Sequence, residues 1–145
     1  MLMLFRHILA AYDGSVQAKR ALEKSVQMVD SCSGTKLTVI HAVNLYPLAA
    51  GDIMIAPTDA MSESALKRGE ELLEEARLYT EGLCRVNTEM IHGSPSKVII
   101  QQAAERGCDL IVVGSRGLGP IQGAMLGSVS RYVVQYAKVP VLVIK

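Results

Sequence analysis

A chain of 145 residues is the size of one ordinary domain and is long enough to bury a real core. Half of it is hydrophobic, yet Phe5 and five tyrosines are its aromatic residues and tryptophan is absent, so the core must be aliphatic. Fifteen basic against fourteen acidic residues leave a formal charge of +1; this excludes a nonspecific nucleic-acid binder, which needs excess basic charge, but not the capture of one small anion by backbone dipoles.

Leu4 to Tyr12 reads as a buried first strand, closed by the turn residues Asp13, Gly14 and Ser15. Met1 to Phe5 lacks the basic flank of a secretory signal, and Arg6-His7 interrupts the apolar run. No stretch approaches the roughly 18 apolar residues of a membrane span. Cys32, Cys84 and Cys108 are odd in number and have no paired-ligand spacing, as expected of reduced, mostly buried thiols. Together these features predict a cytoplasmic protein.

Ala18, Ala21, Leu22, Val26 and Val29 recur at helical spacing over Val16 to Asp30, and Lys36 to Val43 forms a second strand. Residues 44–60 have no clean period and contain Pro47, Gly51 and Pro57. This reads as a long loop, either a lid or binding segment or a plain excursion. A second helix follows, weakly capped by Ser62, with Leu66, Gly69, Leu72, Leu73, Ala76, Tyr79 and Leu83 marking its inner face; the charges opposite form a solvated face.

Val86 to His92 is a third strand. Ser94 and Pro95 then supply the cap and first position of a third helix, which Gly107 ends in the left-handed position. Asp109 to Val113 is a fourth strand, Ser128 to Ala137 a fourth helix, and Val139 to Ile144 a fifth strand. Short valine and isoleucine runs alternating with helices predict a single α/β domain over residues 1–145, a parallel sheet with helices on both faces.

The chemistry concentrates after the fourth strand, where five glycines fall between Gly114 and Ser128. Ligands of open parallel sheets bind beyond the carboxyl ends of the strands, where strand order reverses, and a helix N-terminus offers free N–H groups to a phosphate. Gly114 and Gly117 could adopt dihedrals that form an anion nest. Gly127 would let the chain approach closely, and Ser128 could cap the helix or donate to phosphate. Two commoner phosphate motifs fail: no GxxxxGK followed by Ser or Thr occurs, and Gly117-Leu118-Gly119 is followed by Gln122 where GxGxxG needs glycine.

The spacing Gly114-x2-Gly117-x9-Gly127-Ser128 resembles the ATP-binding signature of the universal stress protein family. The likeness extends to Asp13-Gly14-Ser15, to Val39–Val43 and to Val139–Ile144, and so covers essentially the whole chain. It implies an open five-stranded Rossmann-like sheet of order 3-2-1-4-5, related to the adenine nucleotide alpha hydrolases. It also implies an ATP-binding, dimeric stress-response regulator. Ala11, Tyr12, Asp13 and the backbone around Ala42 would then hold the adenosine. Val113, Gly114, Arg116, Gly117, Gly127, Ser128, Val129 and Ser130 would hold ribose and phosphates. Tyr12 is bulkier than the residue the family commonly carries there, and could crowd or stack on the base.

Asp13 favours a ligand role, with a plain turn as its alternative; Arg116 could pair with a terminal phosphate or point into solvent. His7, His41 and His92 sit on three strands without ligand spacing, which favours structural roles over zinc. Mg²⁺ or Mn²⁺ would ride on the phosphates. The apolar strand Val141-Leu142-Val143-Ile144 predicts pairing with a second subunit, unless the 44–60 loop covers it. Because the loop lacks a carboxylate, lysine or histidine for phosphoryl transfer, slow or no hydrolysis is expected. The ligand could be ATP, ADP, AMP or a cyclic nucleotide, and a protein partner is implied but unidentified. The alternatives are an ATP-hydrolysing or adenylating enzyme of the α/β pyrophosphatase type and a nucleotide-free dimeric module.

Overall fold

The aliphatic runs form a parallel sheet buried on both faces. The computed structural model describes residues 4–31, 34–117 and 126–145. Its elements are β1 (His7–Ala11), α1 (Val16–Ser31), β2 (Lys36–Val43), β3 (Leu48–Ala50), β4 (Ile53–Ile55), α2 (Asp59–Tyr79), β5 (Val86–His92), α3 (Pro95–Glu105), β6 (Leu110–Gly114), α4 (Ser128–Tyr136) and β7 (Val141–Ile144). The main sheet runs β5-β2-β1-β6-β7 with every pair parallel. With the β3–β4 hairpin set aside, this is the expected order 3-2-1-4-5. Strand order reverses between β1 and β6, so their carboxyl ends open a crevice.

Strand alternation divides the core in two. Ile8, Ala10 and Tyr12 join Ala18, Ala21, Leu22 and Val29 of α1 and Leu72 and Ala76 of α2 on one face. Leu9, Ile40, Ile111 and Val113 join Val98, Ile99 and Ala103 of α3 and Val133 of α4 on the other. Gly69 brings α2 close to the sheet: a methyl there would lie 2.7 Å from Met90 Sδ and 3.2 Å from the His41 ring.

Several boundaries differ from the sequence reading. The first strand starts at His7 rather than Leu4, the Arg6 and His7 amides at its start donating to the Asp109 carboxylate (2.9 Å each at the shorter contacts). Residues 44–60 are not a plain loop, since β3 and β4 pair antiparallel within them. Thr58, not Ser62, caps α2, its Oγ1 accepting the Met61 amide at 3.2 Å. Helix α2 also ends at Tyr79, so Leu83 lies beyond it while still packing on the core. Ser94 is the N-cap of α3 by backbone conformation, without a side-chain cap bond, and Pro95 holds the first turn. Gly107 adopts φ 64° as its C-terminal position requires. Cys108 is buried and Cys84 is exposed; Cys32 lies outside the described residues.

Among the described residues, no helix is long and apolar enough to cross a membrane. The histidines take separate local partners: His7 Nε2 lies 2.8 Å from Thr38 Oγ1, His41 Nδ1 lies 2.9 Å from the Tyr12 carbonyl, and the His92 ring meets Tyr46 edge-on.

Candidate functional site

At the β1–β6 reversal a cleft of about 250 Å³ opens on the α3–α4 side of the sheet. That is near the lower end for small-molecule sites. Its lining includes Ala11, Tyr12, Asp13, Ala42, Val113, Gly114, Arg116, Gly117, Gly127, Ser128, Val129 and Ser130. All twelve candidate binding residues therefore converge on one cleft, although they come from four separate stretches of chain.

Asp13 fills the turn role and also lines the cleft. Its Oδ1 accepts the Ser15 amide at 2.9 Å, the turn role, while Ser15 Oγ accepts the Ala18 amide at 3.1 Å and so caps α1. Its Oδ2 faces the glycine loop: a methyl on Gly117 would sit 2.7 Å from it. Asp13 and Arg116 are the carboxylate and the guanidinium among the lining residues, and Arg116 is exposed.

The glycines serve differently from the nest expected. Neither Gly114 nor Gly117 has positive φ, so left-handed dihedrals are not what these positions require. Gly114 is needed because α1 crosses it closely: a methyl there would lie 2.8 Å from the Gln17 carbonyl carbon and 2.9 Å from the Ala18 nitrogen. Among the described residues, the nearest atom to a methyl added at Gly127, Arg116 Cα, is 3.4 Å away.

Gly127, not Ser128, is the N-cap of α4. The first helical bond runs from the Arg131 amide to the Gly127 carbonyl at 3.0 Å, which leaves the amides of Ser128, Val129 and Ser130 without helical acceptors. These are the donors an anion would meet, helped by the positive end of the helix dipole. Ser128 is exposed. The Ser130 hydroxyl is already committed, donating to the Ser115 carbonyl at 2.8 Å and the Gly127 carbonyl at 3.2 Å. Its role is to clamp the start of α4 to the loop after β6, a clamp reinforced by the Gly127 amide on the Ser115 carbonyl at 2.7 Å.

The Tyr12 side chain does not stack in the cleft. It belongs to the α1–α2 core, and its hydroxyl donates to Glu75 Oε2 at 2.6 Å. Burial, and then the Glu75 bond, push its pKa well above the ordinary value of 10. Strand alternation sends the ring to the far face, so Tyr12 reaches the cleft only from its main chain.

The apolar wall also contains Ile40, Pro95 and Ile99, which the sequence reading missed. Ile40 was within reach: it lies two residues before Ala42 on one strand and so shares its face. Pro95 and Ile99 reach the cleft only because α3 packs over β1 and β2. Loop residues 118–125 lie outside the described residues.

An open parallel sheet with a partly apolar cleft at its reversal point defines a Rossmann-like α/β protein. The chain belongs to the universal stress protein family, whose model matches residues 4–145. It is 37% identical over 145 residues to a universal stress protein of Thermus aquaticus, covering 98% of this chain and all of that one. A solved universal stress protein in complex with cAMP is similar at 26% identity and TM-score 0.73, with 97% of each chain covered. The universal stress protein of Archaeoglobus fulgidus in complex with dAMP shares the fold at 22% identity and TM-score 0.69, over 99% of this chain and all of that one.

Proposed function

We propose that this chain is a regulatory module that binds an adenine nucleotide, ATP or a smaller relative, in the β1–β6 cleft and hydrolyses it slowly or not at all. The observation that carries this reading is the open end of α4. Three amides at Ser128–Ser130 that have no backbone acceptor among the described residues belong to residues lining the same cleft as Asp13, with an apolar wall of Ile40, Ile99 and Val113 beside them. A base would lie on the wall, ribose hydroxyls would donate to Asp13, and phosphates would accept from the amides. The complexes of related proteins with cAMP and dAMP support an adenine nucleotide as the ligand class.

Turnover would require a base or water-positioning group beside the phosphates. Asp13 is the carboxylate among the lining residues, and one of its oxygens is held by Ser15. Mg²⁺ or Mn²⁺ would fit this donor set only as a companion of the phosphates, with Asp13 as the protein carboxylate near enough to help. The pyrophosphatase alternative needs a loose, glycine-rich wrap after β1. Here that junction is pinned by the Asp13 turn and the Ser15 cap.

Strand β7 supplies the proposed dimer contact. It pairs on one side with β6 and forms one edge of the sheet. The β3–β4 strands pair with each other and not with β7, so the loop that was the alternative cover does not extend the sheet there. Val141 to Ile144 would pair with the same strand of a second copy in the cytoplasm.

Mass spectrometry of nucleotide released from the purified protein, followed by calorimetric titration with ATP and AMP and a turnover assay with Mg²⁺, tests the reading. Bound or bindable adenine nucleotide with negligible turnover is expected. No binding at millimolar ligand would overturn it, and turnover of several per second would make the protein an enzyme.

A further inference from the structure

The β3–β4 hairpin plays no part in the cleft, yet it is the most apolar exposed feature described. All six of its strand residues, Leu48, Ala49, Ala50, Ile53, Met54 and Ile55, are exposed. The four large ones are 54–67% accessible. Cross-strand pairing places Leu48 with Ile55 and Ala50 with Ile53 on one face, and Ala49 with Met54 on the other. Neither face is covered. A lone two-stranded ribbon is marginal in water without a third layer, and a charge-free strand edge invites pairing.

We infer that this hairpin is a second self-association surface, whose occupant is the hairpin of another copy of this chain. Three observations select that occupant. The first is area: the face carrying Leu48, Ile53 and Ile55, with the Tyr46 ring at the hairpin base, itself 57% exposed, presents on the order of 400–500 Å² per chain, so two copies face to face would remove roughly 800–1,000 Å², the size of a weak, concentration-dependent contact.

The second is charge. No lysine or arginine occurs between Lys36 and Lys67, while Asp52, Asp59 and Glu63 do. A membrane surface with anionic lipids would repel this segment, whereas an uncharged apolar face is complementary to itself, as a two-fold contact requires.

The third is placement. The hairpin grows from β2, and the Tyr46 ring at its base stands 4.7 Å from the His92 ring at the end of β5. Strand β5 is the sheet edge opposite β7. The hairpin contact can therefore form whether or not β7 pairs, and the two together would link chains into an assembly larger than a dimer.

The test is sedimentation velocity across micromolar concentrations, comparing the full chain with the double variant Ile53→Glu, Met54→Glu, which places a charge on each face. The wild type should show a mass about twice that of the variant at high concentration, with far-UV circular dichroism unchanged because both side chains already face solvent. Hydrogen exchange supplies a second readout: amides 48–55 of the wild type should gain protection as concentration rises. Identical masses for wild type and variant, or concentration-independent exchange, would overturn the inference. Flotation of the wild type with phosphatidylcholine vesicles, abolished in the variant, would also overturn it by making the occupant lipid.

Discussion

Substituting Gly114 by alanine separates the two reasons a glycine can be needed beside this cleft. Gly114 ends β6 and pairs with Ile144, and the next amide, Ser115, donates to the Ile144 carbonyl at 2.7 Å. The opposing surface is the first turn of α1, fixed by the Ser15 cap at 3.1 Å and by the Lys19 amide on the Ser15 carbonyl at 2.9 Å. A methyl at 114 would lie 2.8 Å from two carbons of Gln17, against an optimum of about 3.5–4.0 Å. One of two anchored backbones must then retreat by most of an ångström. Overpacking of this kind costs about 1–3 kcal/mol, and for a chain of this size it should lower Tm by roughly 3–10 °C. Gly127→Ala is the control. Among the described residues its methyl meets nothing nearer than 3.4 Å, and losing a glycine N-cap costs up to about 1 kcal/mol. Thermal melts followed by far-UV circular dichroism should rank wild type first, Gly127→Ala close behind and Gly114→Ala last. Titration with ATP or AMP should show Gly127→Ala as the variant that folds but binds poorly. A Gly114→Ala protein melting within about one degree of wild type would refute the packing argument.

Three further outcomes follow from the same geometry. Asp13→Asn keeps an oxygen for the Ser15 amide but removes the charge facing Gly117, so nucleotide affinity should fall about tenfold, roughly 1.4 kcal/mol, with Tm nearly unchanged; undiminished affinity by calorimetry would remove Asp13 from the site. Tyr12→Phe forfeits the hydroxyl bond to Glu75 at 2.6 Å, worth about 1 kcal/mol, and should lower Tm while leaving nucleotide affinity intact; a loss of affinity would mean that the ring does reach the ligand. Burial, opposed by the bond with the Arg106 carbonyl, holds the His7 pKa below its ordinary value of 6.5. The folded state then binds a proton less readily than the unfolded chain, so stability is lost as pH falls through about 6.5 and stops falling below the lowered value. His7→Gln should flatten the dependence of Tm on pH between about 5 and 7, and parallel slopes for variant and wild type would contradict that assignment.

The sheet was legible because its signals are local. Aliphatic runs bounded by turn residues placed β2, β5 and their neighbours to within a few residues, and Gly107 marked the end of α3 through its required φ. The 44–60 segment was not legible as a hairpin, since it lacks polar alternation and both its faces are apolar. The Thr58 cap was missed, and Ser62 taken in its place, for a related reason: serine and threonine both suit that role, and only the folded backbone shows that Thr58 accepts the Met61 amide.

The candidate site divides along the same line. The amino-acid sequence by itself determined that a glycine-rich strand-to-helix junction follows β6, and that Asp13 stands at the equivalent point after β1. Spacing along the chain carries that information. Tertiary structure decided what each residue does there, because the deciding contacts cross elements far apart in the chain. Tyr12 was turned to the opposite face by strand alternation and held by Glu75. Gly114 was fixed as a point of close approach to α1. The Ser130 hydroxyl was spent on the loop and the Gly127 carbonyl, while the first residues of α4 line the cleft.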